Sequence, residues 1–384
     1  MEIAPFSLER WFGQYEHDAD IMLAESGIRS LDASEFDTDP GELGYVIPTD
    51  GDPDFRADVA ERYDRAADEV LFTCGTQEAN LLAFLSRMDE DAHAVVVTPT
   101  YQSLSAVPEA FGDVSRVWLE PPDWRLDTEK VKETIRPETA MVVVNNPNNP
   151  TGRYHSKAVI ESLYEIAADN DAYLLCDEVY RLLADEPLPP VASMGDHGIS
   201  TTSLTKAYGL AGLRFGWLCG PSEVVDGARQ WKDYTTISPS IFGQHVARQA
   251  LDGEREREIL ARNRDLAARN RERVSEFVAA HEGDGLSWAE PVGVNGFLSI
   301  PDGFDSGTSF CRRVVKEESI VLAPGECFGV GSVAITEGAT DGGTTGEPSG
   351  PGSLEKYFRL GFGLPADDLE AGLSRFGDFL DRHA

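Results

Sequence analysis

A repeated pattern through the middle of the chain constrains its fold more than any other feature. Short, nearly unbroken apolar runs recur there, and each is followed at once by a polar or glycine-rich cluster. The runs are Ala94–Thr98 (AVVVT), Met141–Asn145 (MVVVN), Tyr173–Asp177 (YLLCD) and Phe215–Cys219, and the hydroxyl-rich Ser200–Ser203 (STTS) reads as a strand among them. A strand that is apolar on both faces needs cover on both, which is the situation of a parallel sheet flanked by crossover helices. Helix-like stretches at about 76–89, 102–111 and 155–170 fall between the runs. Strand, helix, strand at this spacing predicts right-handed βαβ units and a doubly wound sheet.

Further along, the charged stretch at about 240–282 reads as helix with a solvated face. After Gly283 the pattern changes to a strand at Asn295–Ile300, a helix at 306–318, a strand at Tyr357–Gly361 and a final helix at 366–383. The expected fold class is α/β: a large doubly wound, mostly parallel sheet domain plus a smaller α+β domain formed by the N- and C-terminal parts. Residues 41–283 would form the large domain, and residues 1–40 with 284–384 the small one. Gly338–Gly352 (GATDGGTTGEPSGPG) reads as a turn-rich surface insertion.

Charge excludes some functions. Of 384 residues, 67 are acidic and 33 are Lys or Arg, giving a formal charge of −34. Phosphate backbones would repel such a surface, so a general nucleic-acid partner is not expected. Only seven of the cations are lysines, and aromatics are plentiful, with 18 Phe, 11 Tyr and 6 Trp. The expectation is a folded protein with a lysine-poor acid surface of the halophilic kind, not an acidic disordered chain. No window approaches a membrane span, and the opening Met1–Pro5 lacks the pattern of a leader peptide, so a cytoplasmic protein is expected. Five scattered cysteines without CxxC spacing read as free thiols, neither a disulfide frame nor a metal site.

The polar clusters sit at the carboxyl ends of the runs, the edge at which open α/β sheets bind ligands. They are Cys74–Gln77 (CGTQ), Thr100-Tyr101, Asn145–Gly152 (NNPNNPTG), Asp177–Tyr180 (DEVY) and Ser203–Lys206 (SLTK). Together they offer an anion cradle at a helix start, an aromatic face, amides, a carboxylate, a phenol and an amine. A lysine beside a buried sheet edge, such as Lys206, suits Schiff-base chemistry.

With these motifs the sequence resembles the class I/II aminotransferase group of pyridoxal-phosphate enzymes, the fold-type I family of aspartate aminotransferase. The resemblance runs from about residue 40 to 363. Ser203–Trp217 (SLTKAYGLAGLRFGW) carries it most specifically, with NNPNNPTG and Cys176–Tyr180 (CDEVY) close behind. It implies pyridoxal 5'-phosphate as cofactor, held by Lys206 as an aldimine, with Asp177 on the pyridine nitrogen. It places Tyr180 and Asn149 on the phenolic oxygen and stacks Tyr101 on the ring. Gly75, Thr76, Gln77, Ser203 and Arg214 would hold the phosphate. Arg359, with Asn149, would clamp the substrate carboxylate, and Gly27 would present its backbone to the substrate. Tyr45 would reach the phosphate in a neighbouring subunit, although it lies six residues before Gly51 where the family has five. The partner arginine of dicarboxylate-specific members has no clear counterpart; Arg29, Arg229 and Lys232 are candidates. A homodimer is also implied.

The implied activity is transfer of an amino group between an α-amino acid and a 2-oxo acid. Same-fold lyases, decarboxylases and amino-acid cyclases stay open, because motifs hardly report which substrate bond lies across the ring. The opening LERWFGQY…ESGIRS resembles the capreomycidine synthase branch, which keeps a cyclase among them. A non-enzymatic binding protein on the same scaffold is disfavoured by Lys206, Asp177 and Arg359 occurring together. Gly361–Ala366 fits a dinucleotide G-x-G-x-x-A pattern, but too little chain follows for the rest of that unit.

Overall fold

The computed structural model describes residues 3–329 and 354–383, so the Gly338–Gly352 insertion lies outside the described residues. The chain begins with α1 (Ser7–Tyr15), β1 (Ile21–Met22) and α2 (Pro53–Ala60). It continues through β2 (Val70–Thr73), α3 (Thr76–Arg87), β3 (His93–Thr98), α4 (Ser103–Phe111), β4 (Asp113–Trp118), α5 (Thr128–Thr134) and β5 (Thr139–Asn145). Next come α6 (Lys157–Ala168), β6 (Tyr173–Asp177), β7 (Gly198–Ser203), β8 (Gly216–Cys219) and α7 (Ser222–Lys232). The remaining elements are α8 (Ile241–Ala250), α9 (Gly253–Ala280), β9 (Asn295–Ser299), α10 (Gly307–Glu318), β10 (Ile320–Val321), β11 (Ala323–Pro324), β12 (Tyr357–Gly361) and α11 (Ala366–His383).

Among the described residues, seven strands form one sheet in the order β2-β8-β7-β6-β5-β3-β4. The pairs β3–β4, β3–β5, β5–β6 and β6–β7 are parallel. Alternate residues of the apolar runs enter two different cores. Val95, Val97, Val142, Val144, Leu174 and Cys176 pack on one face. Ala94, Val96, Met141, Val143, Tyr173 and Leu175 pack on the other. The two-sided apolarity of the runs is thus a direct record of helices on both faces. The fold is α/β with a mixed, mostly parallel large sheet, as expected.

The last run departs from the parallel expectation. β8 is antiparallel to both its neighbours, β7 and β2. Only Leu204–Phe215, a segment of turns without an α-helix, joins β7 to β8, and a parallel return needs a longer crossover. The charged stretch at 240–282 is likewise two helices, α8 and α9. The break falls at Leu251-Asp252, where the Asp252 carboxylate caps α9 by accepting from the Glu254 backbone N–H. Two strands carry too little pattern to be read from sequence. β2 has four residues, and β4, at the sheet edge, is mostly part-exposed.

The chain ends meet beside the large sheet. β1 pairs in parallel with β10, and among the described residues β11, β12 and β9 form a three-stranded antiparallel sheet. α1 is anchored there by Trp11, fully buried, whose indole N–H donates to the Leu322 carbonyl at 2.8 Å. Four of the five cysteines are buried, and none is paired.

Candidate active site

The carboxyl ends of β5, β6 and β7, with the turn from β2 into α3, open onto one cavity of about 320 Å³. Asn145, Asp177 and Ser203 are the last residues of their strands and all line it. Thr76, Gln77, Tyr101, Asn149, Tyr180, Lys206 and Arg214 line it too. The sequence clusters therefore converge because parallel strands end on one edge.

Asp177 is buried at the cavity floor. Its Oδ2 accepts from Asn80 Nδ2 at 2.9 Å and its Oδ1 from the Val179 backbone N–H at 3.2 Å. Burial pushes its carboxyl up to about 6, against these hydrogen bonds and the Lys206 charge, which favour the ionised form. Asn80 is itself oriented by accepting from Thr201 Oγ1 at 2.5 Å. The carboxylate is thus fixed in direction and poorly solvated, so a cationic ring nitrogen is its natural counter-charge. Lys206 follows β7 by three residues, and its Nζ donates to Ser26 Oγ at 2.9 Å and to Glu25 Oε1 at 3.4 Å. The Lys206 charge is the main cause holding the Glu25 carboxyl below its usual range.

The turn before α3 forms an anion cradle. Gly75 caps this helix at φ +83°, a conformation that L side chains rarely adopt. A β-carbon there would come within 2.8 Å of Arg214 Nη2, so the arginine can lie across the bare backbone. Thr76 Oγ1 donates to Ser203 Oγ at 2.8 Å, which joins the two hydroxyls at the helix start. Behind them, Glu78 accepts from the Cys74 backbone N–H and from the Thr235 and Thr236 hydroxyls, locking the turn. Helix N-terminus, two hydroxyls and a guanidinium suit a phosphate dianion. These residues fit pyridoxal phosphate: a cradle for its phosphate, a buried carboxylate for its ring nitrogen and an amine for its aldehyde.

Arg359, on β12, is fully buried just behind the cavity wall. Its Nη1 donates to Asn149 Oδ1 at 2.8 Å and its Nη2 to the Ala24 carbonyl at 2.6 Å, while Nε has no partner among the described residues. Its guanidinium lies 5.0 Å from the centre of the Phe328 ring. Gly27 adjoins this region but does not line the cavity; its N–H donates to Glu25 Oε1 at 2.7 Å. The glycines of the G-x-G-x-x-A pattern explain that placement. A β-carbon at Gly361 would collide with the Glu25 carbonyl, and one at Gly363 with the Gly27 carbonyl. The pattern therefore serves close backbone packing of residues 25–27 against the end of β12.

Tyr45 stands apart from this cavity, 74% exposed. Arg229 pairs with Asp50 at 3.0 Å, Lys232 is buried against Thr236, and neither lines the cavity, nor does Arg29. Sequence reasoning missed Asn80, Glu25 and Ser26, and also Leu8, Glu9 and Phe12 of α1 with Glu16 at its C-terminal cap, all of which line the cavity. Asn80 is legible only as the residue one helical turn beyond Thr76, on the same face of α3.

Comparison with known proteins agrees with this geometry. The family model for aminotransferase class I and II matches residues 13–375. The chain is 29% identical to capreomycidine synthase of Streptomyces vinaceus, covering 98% of this chain and 94% of that protein. It is 29% identical to the aspartate/prephenate aminotransferase of Thermus thermophilus, covering 75% and 77%. A crystal structure of a PLP-dependent aminotransferase from Streptococcus suis superposes with a TM-score of 0.87 at 30% identity, covering 100% of this chain and 99% of that one.

Proposed function

The chain belongs to the class I and II aminotransferase family, whose cofactor is pyridoxal phosphate, and from that premise we propose that it moves an amino group between an α-amino acid and a 2-oxo acid. The observation that carries this reading is the convergence of Lys206, Asp177 and Asn149 on one cavity, with Arg359 held directly behind Asn149. Once bound, the cofactor supplies an aldehyde that bonds to amines and a ring that accepts electrons from the substrate's α-carbon. Asp177 holds the ring nitrogen protonated, and Tyr180 and Asn149 hydrogen-bond the phenolic oxygen. Tyr101 covers the ring, and Gly75, Thr76, Gln77, Ser203 and Arg214 hold the phosphate. Lys206 Nζ is the base that takes and returns the substrate's α-proton. Arg359 and Asn149 receive the α-carboxylate, and the Gly27 backbone borders it.

A second reading is a cyclase, favoured by the likeness to capreomycidine synthase over nearly the whole chain. Adding single amino acids to the purified holoprotein separates the two. An aminotransferase releases one equivalent of 2-oxo acid per cofactor and shifts the visible spectrum. Multiple turnovers of one amino acid without any oxo acid would overturn the first reading and support the second.

The same proposal includes a cytoplasmic homodimer adapted to salt. No helix of the described residues is long and apolar enough to cross a membrane. Leu43, Tyr45, Ile47, Tyr234 and Phe242 are large apolar side chains left 45–85% exposed. The Asp50–Arg229 and Asp52–Gln244 hydrogen bonds draw their two segments together, as a subunit interface requires. In this arrangement Tyr45 extends toward the partner's phosphate site. Light scattering should give a dimer, and Ile47→Asp with Tyr234→Asp should give a monomer. Melting should occur at higher temperature in molar salt than in dilute buffer, because screening relieves the −34 surface. A wild-type monomer, or greater stability in dilute buffer, would refute the corresponding part.

A further inference from the structure

We propose that Asn80, oriented by Thr201, is a positioning residue that keeps the Asp177 carboxylate ionised and fixed in direction for a ring nitrogen. The inference rests on the reading of Asp177 as the partner of that nitrogen, and deepens it.

The placement begins with strand alternation. Leu175 and Ile199 belong to the core under α3, together with Ala79, Leu82 and Ala83 of that helix. Asp177 and Thr201 lie two residues further along β6 and β7, on the same sheet face, and the parallel register sets them side by side. Asn80 comes down on this face from α3, between apolar neighbours. It is 2% exposed, and Thr201 is fully buried. An amide buried among apolar side chains costs free energy unless both its ends are paired, so packing alone would favour leucine here.

The two ends of the amide are not interchangeable. Thr201 Oγ1 donates to Asn80 Oδ1 at 2.5 Å, which leaves Nδ2 to donate to Asp177 Oδ2 at 2.9 Å. Reversed, the amide would set its oxygen against a carboxylate oxygen, an arrangement that only a protonated Asp177 satisfies. The orientation present therefore favours the anion and opposes burial, which pushes this carboxyl up to about 6. The Val179 backbone N–H, on Oδ1, and the Lys206 charge act in the same sense as Asn80. Beside Asp177 in the chain, Glu178 is paired with Arg181 at 3.3 Å, and burial keeps the Cys176 thiol neutral. β5 meets Asp177 through Asn145, whose Nδ2 donates to the Asp177 backbone carbonyl at 2.9 Å. Lys206 engages the cofactor in the reading above, which leaves Asn80 and the Val179 N–H to hold the anion.

Cofactor capture by the full-length apoprotein tests this without turnover. Uptake of pyridoxal 5'-phosphate is measured by equilibrium dialysis from pH 5 to 9. Each profile is divided by that of Asp177→Asn, whose amide does not titrate, so the quotient isolates the Asp177 step. In the wild-type protein the step falls near pH 6. Asn80→Leu keeps the branched shape and removes the donor, and should raise the step by roughly one to two pH units, the worth of one hydrogen bond to an ionised group. Thr201→Val should move it the same way by less, and Thr201→Ser, which keeps the hydroxyl, should leave it at the wild-type position. A step that stays put in Asn80→Leu and Thr201→Val, whatever their melting temperatures, makes Asn80 a merely structural residue and overturns the inference. Should Asn80→Leu fail to fold, the difference between Thr201→Val and Thr201→Ser decides, and its absence is equally fatal. If Asp177→Asn itself follows the wild-type profile, the ring-nitrogen reading falls and takes the inference with it. A raised step in protein that transaminates no amino acid leaves the inference standing and overturns the aminotransferase reading alone.

Discussion

Lys206→Ala protein is expected to fold, take up pyridoxal phosphate without a covalent bond to the chain, and lose turnover by at least about 10⁴-fold, the upper end of what a positioned proton-transfer group contributes. The stability cost should be below about 1 kcal/mol, since the ion pair that Lys206 makes is with Glu25, whose side chain is 51% exposed. Borohydride should fix the cofactor to wild-type protein and leave the variant unlabelled. Small amines such as methylamine should restore part of the proton transfer, because the cavity then has room for a free base where Nζ stood. Covalent labelling of the variant at another lysine would remove Lys206 from its assigned role.

Asp177→Asn should be the next most damaging change, with activity lowered by about 10²–10³-fold, the range for losing one preorganised electrostatic partner. The substitution keeps shape and removes charge, so Asn80 and the Val179 N–H would retain a polar neighbour while the ring nitrogen loses its anion. A pH effect follows with a definite sign. In the cofactor-free protein, burial pushes the Asp177 carboxyl up to about 6. As pH falls through 6 the group takes up a proton and loses its charge, so cofactor uptake by the apoprotein should weaken there. The amide that replaces this carboxyl in the variant does not titrate, and uptake by the variant should be flat across the same range. Matching pH profiles for the two proteins would show that this carboxylate does not govern cofactor capture.

Much of the site was legible because its chemistry is written at strand ends. AVVVT, MVVVN and YLLCD declare buried strands by composition alone, and whatever follows such a strand in a parallel sheet must emerge on the ligand-binding edge. Asp177, Asn149, Ser203 and Lys206 are therefore placed on that edge by the sequence alone, and all four line the cavity. The direction of β8 was not, since an apolar run carries no sign of which way it points; the helix-free link from Ser203 to Gly216 decides it. β4 escaped notice because an edge strand buries too little to leave a pattern. The part of the cavity wall beside α1 was hidden for a different reason. Glu9 in that helix and Glu16 at its cap are indistinguishable in sequence from the many acids that merely solvate this chain, and only the docking of α1 through Trp11 brings them to the cavity. Asn80 was obscured as an ordinary polar residue within a helix.

Contacts around the buried Arg359 and Trp11 join segments far apart in the chain. Arg359 bonds to the carbonyl of Ala24, 335 residues earlier, and the indole of Trp11 bonds to Leu322, 311 residues later. During synthesis, then, the segment that carries Trp11 and Ala24 waits for Leu322 and Arg359 to emerge. The large sheet, whose strands all precede residue 220, can assemble meanwhile. A nascent chain truncated before β12 would own the paired Thr76 and Ser203 hydroxyls and Lys206, yet lack the guanidinium that donates to Asn149. The order of the sequence thus delays completion of the cavity's surroundings until β12 has been made.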